Sequence, residues 1–353
     1  MTVAAAPEVV VDADVLGRRR TGDESHVQNL LRELAGLDHG MRLVAVARRE
    51  DVVPAGVEPF VLSARSRVER LGWSLPRALN ALRPRLTHFQ YVIPPLYRGR
   101  AVVMVHDLSF ERMPQLMGYQ DRLALRTLVP VSVRRADRVL TVSEWSRADI
   151  VDCYGLEPER VVVTGGGLDP AFTRTGDRPD RPPYLLFVGA LQPRKGPIVA
   201  LDALARLSED LQLVMVGPVK RGFGEVRAAM DRLRLGSRVE LAGYVSKKDL
   251  AALYRGAACM IFPSHYEGFG LPVLEAMASG TPVVATTAGA IPEVAGDAAV
   301  LVPPGDADAL AAGVQVAIAD RDRLVAAGLD RARRFRWASV AERTLDVYRE
   351  LLS

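Results

Sequence analysis

The sequence predicts an α/β protein made of two doubly wound, Rossmann-like domains of parallel sheet. Short β-branched runs alternate with amphipathic stretches, the pattern of parallel strands joined by crossover helices. The pattern is interrupted once, at Thr173–Pro183, where TRTGDRPDRPP is polar, rich in proline and without periodicity. The length of 353 residues, 49% of them hydrophobic and 25% charged, is long for one core and comfortable for two.

In the first half the predicted strands are Glu8–Val11, Arg42–Val46, Ala101–Val105, Arg138–Val142 and Val161–Thr164, with helices at Ser25–Ala35 and Gln120–Arg135. In the second half they are Tyr184–Val188, Gln212–Val216, Val239–Leu241, Cys259–Phe262, Pro282–Ala285 and Ala299–Leu301. Helical patterns fill the gaps at Ile198–Leu207, Glu225–Leu233, Lys247–Arg255 and Leu271–Ala278. The boundary is residues 173–183, a composition that suits a linker. Two such domains facing each other would form a cleft at the carboxyl ends of both sheets, where ligands of these folds bind.

Composition narrows the partners. The net charge is +4, yet between Pro59 and Arg135 stand 13 arginines, 4 acidic residues and no lysine, a local excess of nine positive charges. Such a surface suits partners carrying phosphates, as free groups, lipid headgroups or nucleic acid, or is a solvated arginine-rich face. The two cysteines, Cys153 and Cys259, lack any metal or disulfide spacing and read as small buried hydrophobes. No apolar run reaches membrane-span length, and the N-terminus has no basic leader, so a cytoplasmic protein is expected.

Three segments carry chemistry. In SHYEGFGLPVLEAMASGTPVV, a strand ending at Phe262 leads through a loop with Gly268 and Gly270 into a helix opening near Leu271. Backbone amides and the positive end of a helix favour phosphate or sugar oxygens there. Glu267 and Glu275 bracket the turn, either as an acid/base pair, as acceptors of sugar hydroxyls, or as ordinary loop and helix glutamates. In YLLFVGALQPRKG, a strand and Gly189 are followed by Arg194 and Lys195, cations suited to a diphosphate leaving group or to a plain surface turn. In AVVMVHDLSF, His106 and Asp107 stand at a strand end.

The Glu267-to-Glu275 run, with Gly280-Thr281-Pro282 and Ile291-Pro292-Glu293 after it, resembles glycosyltransferase family 4. The resemblance covers nearly the whole chain and is strongest from Tyr184 onward. It implies a GT-B fold and a retaining, metal-independent hexosyltransferase using a nucleoside diphosphate sugar, with no cofactor and no nucleic acid partner. Residues 1–172 would bind the acceptor, joined by a last helix of about 338–353 that packs back on them. Residues 184–337 would bind the donor. Glu275 would hold the ribose, Glu267 would lie beside the donor sugar, and Arg194 and Lys195 would clamp the diphosphate. Gly189 and the amides of Phe269, Gly270 and Leu271 would line that site, and His106 would orient the sugar. The match weakens at Arg20-Thr21-Gly22-Asp23-Glu24-Ser25, which has one glycine where the family has two, so only Gly22 is assigned there. Ser25 is expected to cap the helix, and Asp12-Ala13-Asp14 to be structural.

VHDLSF together with EGFGLPVLEAMASGTPVV resembles bacterial mannosyltransferases of surface-polysaccharide assembly, which implies GDP-mannose as donor, with a UDP-hexose as the alternative. The acceptor would be a saccharide, a lipid-linked sugar or a small molecule. Other classes compatible with the fold are a sugar-nucleotide epimerase or phosphorylase and a non-catalytic nucleotide-sugar binder. Gly165 and Gly167 supply a lone Gly-x-Gly, but Leu168, Asp169 and Pro170 follow, without the later glycine and the helix start of a dinucleotide fingerprint, which argues against a nicotinamide oxidoreductase. In Ser63–Arg85, arginines at 65, 67, 70, 77, 83 and 85 alternate with Leu71, Trp73, Leu75, Leu79 and Leu82. That alternation fits either an anionic membrane surface or packing under the first sheet.

Overall fold

The structure is a computed structural model that describes residues 6–18, 22–116, 118–220 and 222–353. Arg20 and Thr21 of the atypical N-terminal loop, and the first five residues of the expected leaderless start, lie outside the described residues. The chain forms two compact units, Met1–Gly167 with Arg336–Ser353, and Leu168–Phe335. Thr173–Pro183 lies within the second unit, where Arg255 donates from Nε to the Asp177 carbonyl at 2.8 Å.

The first unit carries strands β1 (Val9–Asp12), β2 (Leu43–Ala47), β3 (Glu58–Val61), β4 (Leu86–Gln90), β5 (Ala101–Met104), β6 (Arg138–Thr141) and β7 (Val161–Val163). Their order is β3-β2-β1-β4-β5-β6-β7, and every pairing is parallel. β1, β2 and β5 are buried along their whole length, which is why they read as unbroken apolar runs.

β3 and β4 escape the pattern. β4 reads Leu-Thr-His-Phe-Gln, too polar for a central strand, yet it lies between β1 and β5. Each of its polar side chains has one partner, while His88 Nε2 and Gln90 Nε2 stay buried without one among the described residues. Thr87 Oγ1 meets the Tyr97 hydroxyl at 2.8 Å, His88 Nδ1 meets the Tyr348 hydroxyl at 2.6 Å, and Gln90 Oε1 meets His106 Nε2 at 2.9 Å. Tyr348 belongs to the last helix, Trp337–Leu352, which returns to the first unit and packs on the helix Gly22–Gly36.

The second unit carries β8 (Tyr184–Val188), β9 (Gln212–Val216), β10 (Val239–Gly243), β11 (Cys259–Phe262), β12 (Val283–Thr286) and β13 (Val300–Val302). Their order is β10-β9-β8-β11-β12-β13, again parallel throughout. Strand periodicity divides its core between two faces. Leu186, Val214, Met260 and Val283 face one layer, and Leu185, Leu213, Cys259 and Val284 the other. In both sheets the chain direction of growth reverses once, between β1 and β4 and between β8 and β11. These are the switch points at which ligand crevices open in doubly wound sheets.

The arginine-rich stretch Ser63–Arg85 divides between core and surface. Leu75 and Leu79 are buried in the first core, and Arg70 is buried against Asp12 with Nη2 2.6 Å from Oδ1. Val68 and Trp73 stay 83% and 64% exposed, beside exposed Arg65, Arg67 and Arg77. The alternation of arginine and leucine thus reports a helix side that packs, Leu75–Leu82, more than a continuous amphipathic surface.

Candidate active site

The site of the second unit is built at its switch point, from the loops that follow β8 and β11. After β8 the chain passes Gly189 and makes a single 3-10 turn, Pro193–Lys195, before the helix Pro197–Leu204. After β11 it runs from Pro263 to Gly270 and enters the helix Leu271–Ala278, with Pro272 in its first turn. The two loops are fastened to each other by the backbone. The Arg194 carbonyl accepts from the His265 amide at 2.8 Å, and Arg194 Nη1 donates to the Tyr266 carbonyl at 2.6 Å. Gly196 sits at φ +68°, where a Cβ would lie 2.1 Å from the Pro263 carbonyl oxygen, so only glycine allows this approach.

A third loop, after β12, holds the backbone of Glu267. The Ala290 amide donates to the Glu267 carbonyl at 2.9 Å. Gly289, at φ +61°, would place a Cβ 2.1 Å from that same oxygen. Three strand ends therefore converge on one glutamate, which explains why glycines and prolines crowd these loops.

Glu267 is 6% exposed, and its side chain pairs with both cations. Lys195 Nζ lies 2.5 Å from Oε1 and Arg194 Nη1 3.5 Å from Oε2. Lys195 Nζ also stands 5.3 Å from the Phe262 ring centroid. Burial pushes the Glu267 carboxyl up, but the charges of Lys195 and Arg194 outweigh it and hold the group below the usual carboxylate range. The trio is thus an ionised acceptor set against two donors, with one positive charge left over.

Glu275 lies in the helix Leu271–Ala278 and has a different setting. It is partly exposed, and its Oε2 accepts from the hydroxyl of Tyr254 at 2.9 Å. Burial pushes its carboxyl up to about 7, against the opposing hydrogen bond from Tyr254. Gly268, Phe269, Gly270 and Leu271 form the loop and helix start between the two glutamates, with the Phe269 ring edge-on to Phe335 at 5.8 Å. A helix start leaves its first amides without intrahelical acceptors, so this turn can present donors to an anion.

His106 and Gly22 belong to the first unit. His106, 8% exposed, follows β5 and is held by Gln90 and by ring contacts with His26 at 4.9 Å and Tyr91 at 5.6 Å. Asp107 accepts from the Ser109 amide at 2.9 Å, a local turn bond. Gly22 opens the helix Gly22–Gly36, so that helix begins before Ser25 and Ser25 is not its cap. The Ser25 carbonyl instead accepts from Asn29 Nδ2 at 2.8 Å, inside the helix. Glu24 braces the preceding loop by accepting from the Gly17 amide at 2.8 Å. Asp12 pairs with Arg70, and Asp14 with Arg48 at 2.9 Å and with Arg18. The triplet is structural in this fold.

Reading the sequence alone passed over Tyr254 and His26. The signal for Tyr254 was a tyrosine at a core position of a helix, whose hydroxyl needs a buried partner. His26 read as one polar residue in an ordinary amphipathic segment.

Comparison with known proteins adds identity to this geometry. Residues 20–172 match the family described as Glycosyltransferase Family 4, and residues 170–334 match Glycosyl transferases group 1. The O-antigen chain mannosyltransferase B of Escherichia coli is 30% identical over 334 residues, covering 89% of this chain and 84% of that one. The MMP alpha-(1->4)-mannosyltransferase of Mycolicibacterium hassiacum is 36% identical over 230 residues, 62% of this chain and 56% of that one. Among solved structures, sucrose-phosphate synthase from Thermosynechococcus elongatus superposes with a TM-score of 0.80 at 23% identity, covering 98% of this chain and 99% of that chain. With two parallel-sheet domains of the GT-B fold and sequence kinship across most of its length, this chain belongs to glycosyltransferase family 4.

Proposed function

We propose that this glycosyltransferase moves a hexose, with mannose from GDP-mannose as the first choice, to a saccharide or lipid-linked acceptor. The second unit takes the nucleoside diphosphate sugar and the first takes the acceptor. Transfer retains the anomeric configuration and uses neither metal nor cofactor. The observation that carries this reading is the Lys195–Glu267–Arg194 cluster at the switch point of the second sheet. The mannosyltransferase names of two relatives favour mannose.

In this scheme the anomeric carbon–oxygen bond breaks and the electron pair leaves with the diphosphate. Lys195, Arg194 and the start of the helix Leu271–Ala278 stabilise that charge. Glu267 is ionised and already paired, so it accepts hydroxyls of the donor sugar, with no role as a proton donor. The acceptor hydroxyl attacks on the face the phosphate leaves, passing its proton to a phosphate oxygen. Glu275 receives the ribose hydroxyls, and His106 orients the sugar.

Thermal unfolding with GDP-mannose and UDP-glucose tests the donor. At 100 times its dissociation constant the true donor adds about 2.7 kcal/mol. Stabilisation by UDP-glucose alone reverses the choice of sugar nucleotide. NMR of the product reads anomeric configuration, and activity that survives a chelator supports the metal-free scheme.

A surface feature of the first unit supports a further part of the reading, contact with an anionic membrane. Exposed Trp73 and Leu96 line a cavity of about 220 Å³ together with Arg77. Among the described residues no helix is long and apolar enough to cross a membrane. Binding to vesicles should require anionic lipid and fade with salt, since exposed charges are screened within about 10 Å at 0.1 M. Protein that stays in the supernatant at low salt removes this part.

A further inference from the structure

Glu275 is held by a side chain that has no place in the scheme above. Tyr254 lies on the helix Lys247–Gly256 and is fully buried in the second core. Its ring is edge-on to Phe172, with centroids 5.6 Å apart and planes at 83°. Both of its polar ends are fixed. Its backbone carbonyl accepts from Thr281 Oγ1 at 2.5 Å, and its hydroxyl donates to Glu275 Oε2 at 2.9 Å. A phenylalanine would fill the same space without bringing a polar group into the core, so the hydroxyl is there for the carboxylate.

We infer that Tyr254 is a positioning residue for the nucleotide, fixing the Glu275 carboxylate in the orientation and charge state that receives the ribose hydroxyls. This rests on the reading of Glu275 as the ribose ligand. A carboxylate offers about four acceptor sites, and the phenol occupies one, leaving the others for a vicinal diol. Only the ionised carboxylate accepts from both hydroxyls. Burial opposes ionisation and the Tyr254 hydrogen bond favours it. Of the neighbouring charges, Asp169 also opposes it and Lys247 favours it. Those two charges are paired with each other, Nζ to Oδ2 at 2.5 Å, so the phenol is the main group acting for the charged form. The Gly280-Thr281-Pro282 motif thereby gains a physical role, because Thr281 holds the helix end from which Tyr254 projects.

The test compares wild type, Tyr254→Phe and Glu275→Gln by titration with a nucleoside diphosphate sugar between pH 6 and 8.5. Such a donor has no phosphate group ionising in that range, unlike a free nucleoside diphosphate. In Tyr254→Phe the Glu275 carboxyl loses its donor and titrates about one unit higher. Donor affinity should then fall about fivefold at pH 7 and return to within twofold of wild type at pH 8.5. Glu275→Gln should bind weakly at every pH. A loss in Tyr254→Phe that is equal across the range, or no loss, overturns the positioning role. Carbon-13 NMR of the Glu275 carboxyl in the unliganded protein gives a second readout that needs no ribose. An unchanged midpoint in Tyr254→Phe sinks the inference. Wild-type affinity in Glu275→Gln sinks instead the ribose reading on which it stands.

Discussion

Glu267 and Glu275 stand on the two sides of one turn, the first within a loop and the second in the helix that follows. Both are removed from most of the solvent, and burial pushes both carboxyls up. They differ in who sits opposite. Glu267 faces Lys195 and Arg194 and is held below the usual range. Glu275 faces a neutral phenol and is left near 7. Cations override desolvation, whereas one hydrogen bond only moderates it. Two glutamates in one motif therefore do different work: a fixed negative charge beside the cations, and an acceptor whose charge is poised near neutrality.

Removing the cation is the most severe way to break this comparison. Lys195→Ala should lower turnover by about 10²–10³-fold, the usual cost of losing a group that stabilises developing charge. Calorimetry should show the nucleoside diphosphate weakened while the bare nucleoside binds as before. Equal losses for both ligands would mean that Lys195 supports the fold of the site and not the phosphates. Glu267→Gln should come next, with turnover down about 10²-fold and nucleoside diphosphate affinity within about threefold of wild type, or tighter because the cations are released. A large loss of nucleotide affinity would place Glu267 on the nucleotide instead of the sugar.

The smallest effect lies in stability against pH, where the two glutamates should have opposite signs. Glu267, lowered in the folded state, contributes stability above its unfolded value of about 4.3, and this is lost as pH falls through its lower folded value. Glu275 is raised. Between about pH 4.3 and 7 the unfolded chain has released a proton that the folded protein still holds, so stability falls as pH rises, then levels off. Relative to Glu275→Gln, wild type should lose about 2 kcal/mol across that window in urea unfolding, allowing for the partial exposure of the side chain. A flat difference would show that Glu275 titrates normally.

Much of the architecture of the second unit was legible because it is local. β8, β9 and β11 run where the β-branched runs placed them, and the Arg194-Lys195 turn and the Glu267 loop follow strand ends as expected. The Leu271–Ala278 helix begins at its glycine-to-proline signal. The first unit was harder to read. β4 hides a central strand behind Thr87, His88 and Gln90, whose partners come from as far away as Tyr348. β3, which the strand pattern did not show, carries Pro59, and the proline is tolerated because β3 stands at the sheet edge. The first helix starts at Gly22, where Asp23 and Glu24 supply first-turn acids and Ser25 caps nothing.

By itself the sequence determined the α/β class, the positions of most strands, and the loops whose glycines, cations and glutamates meet at the switch point of the second sheet. These follow from periodicity and turn chemistry, which act over a few residues. Tertiary structure alone decided that Glu267 meets Lys195 across 72 positions, that Tyr254 reaches Glu275 across 21, and that Arg70 is spent on Asp12. It decided the charge state of the glutamates for the same reason. Desolvation and ion pairing depend on which distant side chains share a low-dielectric space, and no local pattern in the chain records that.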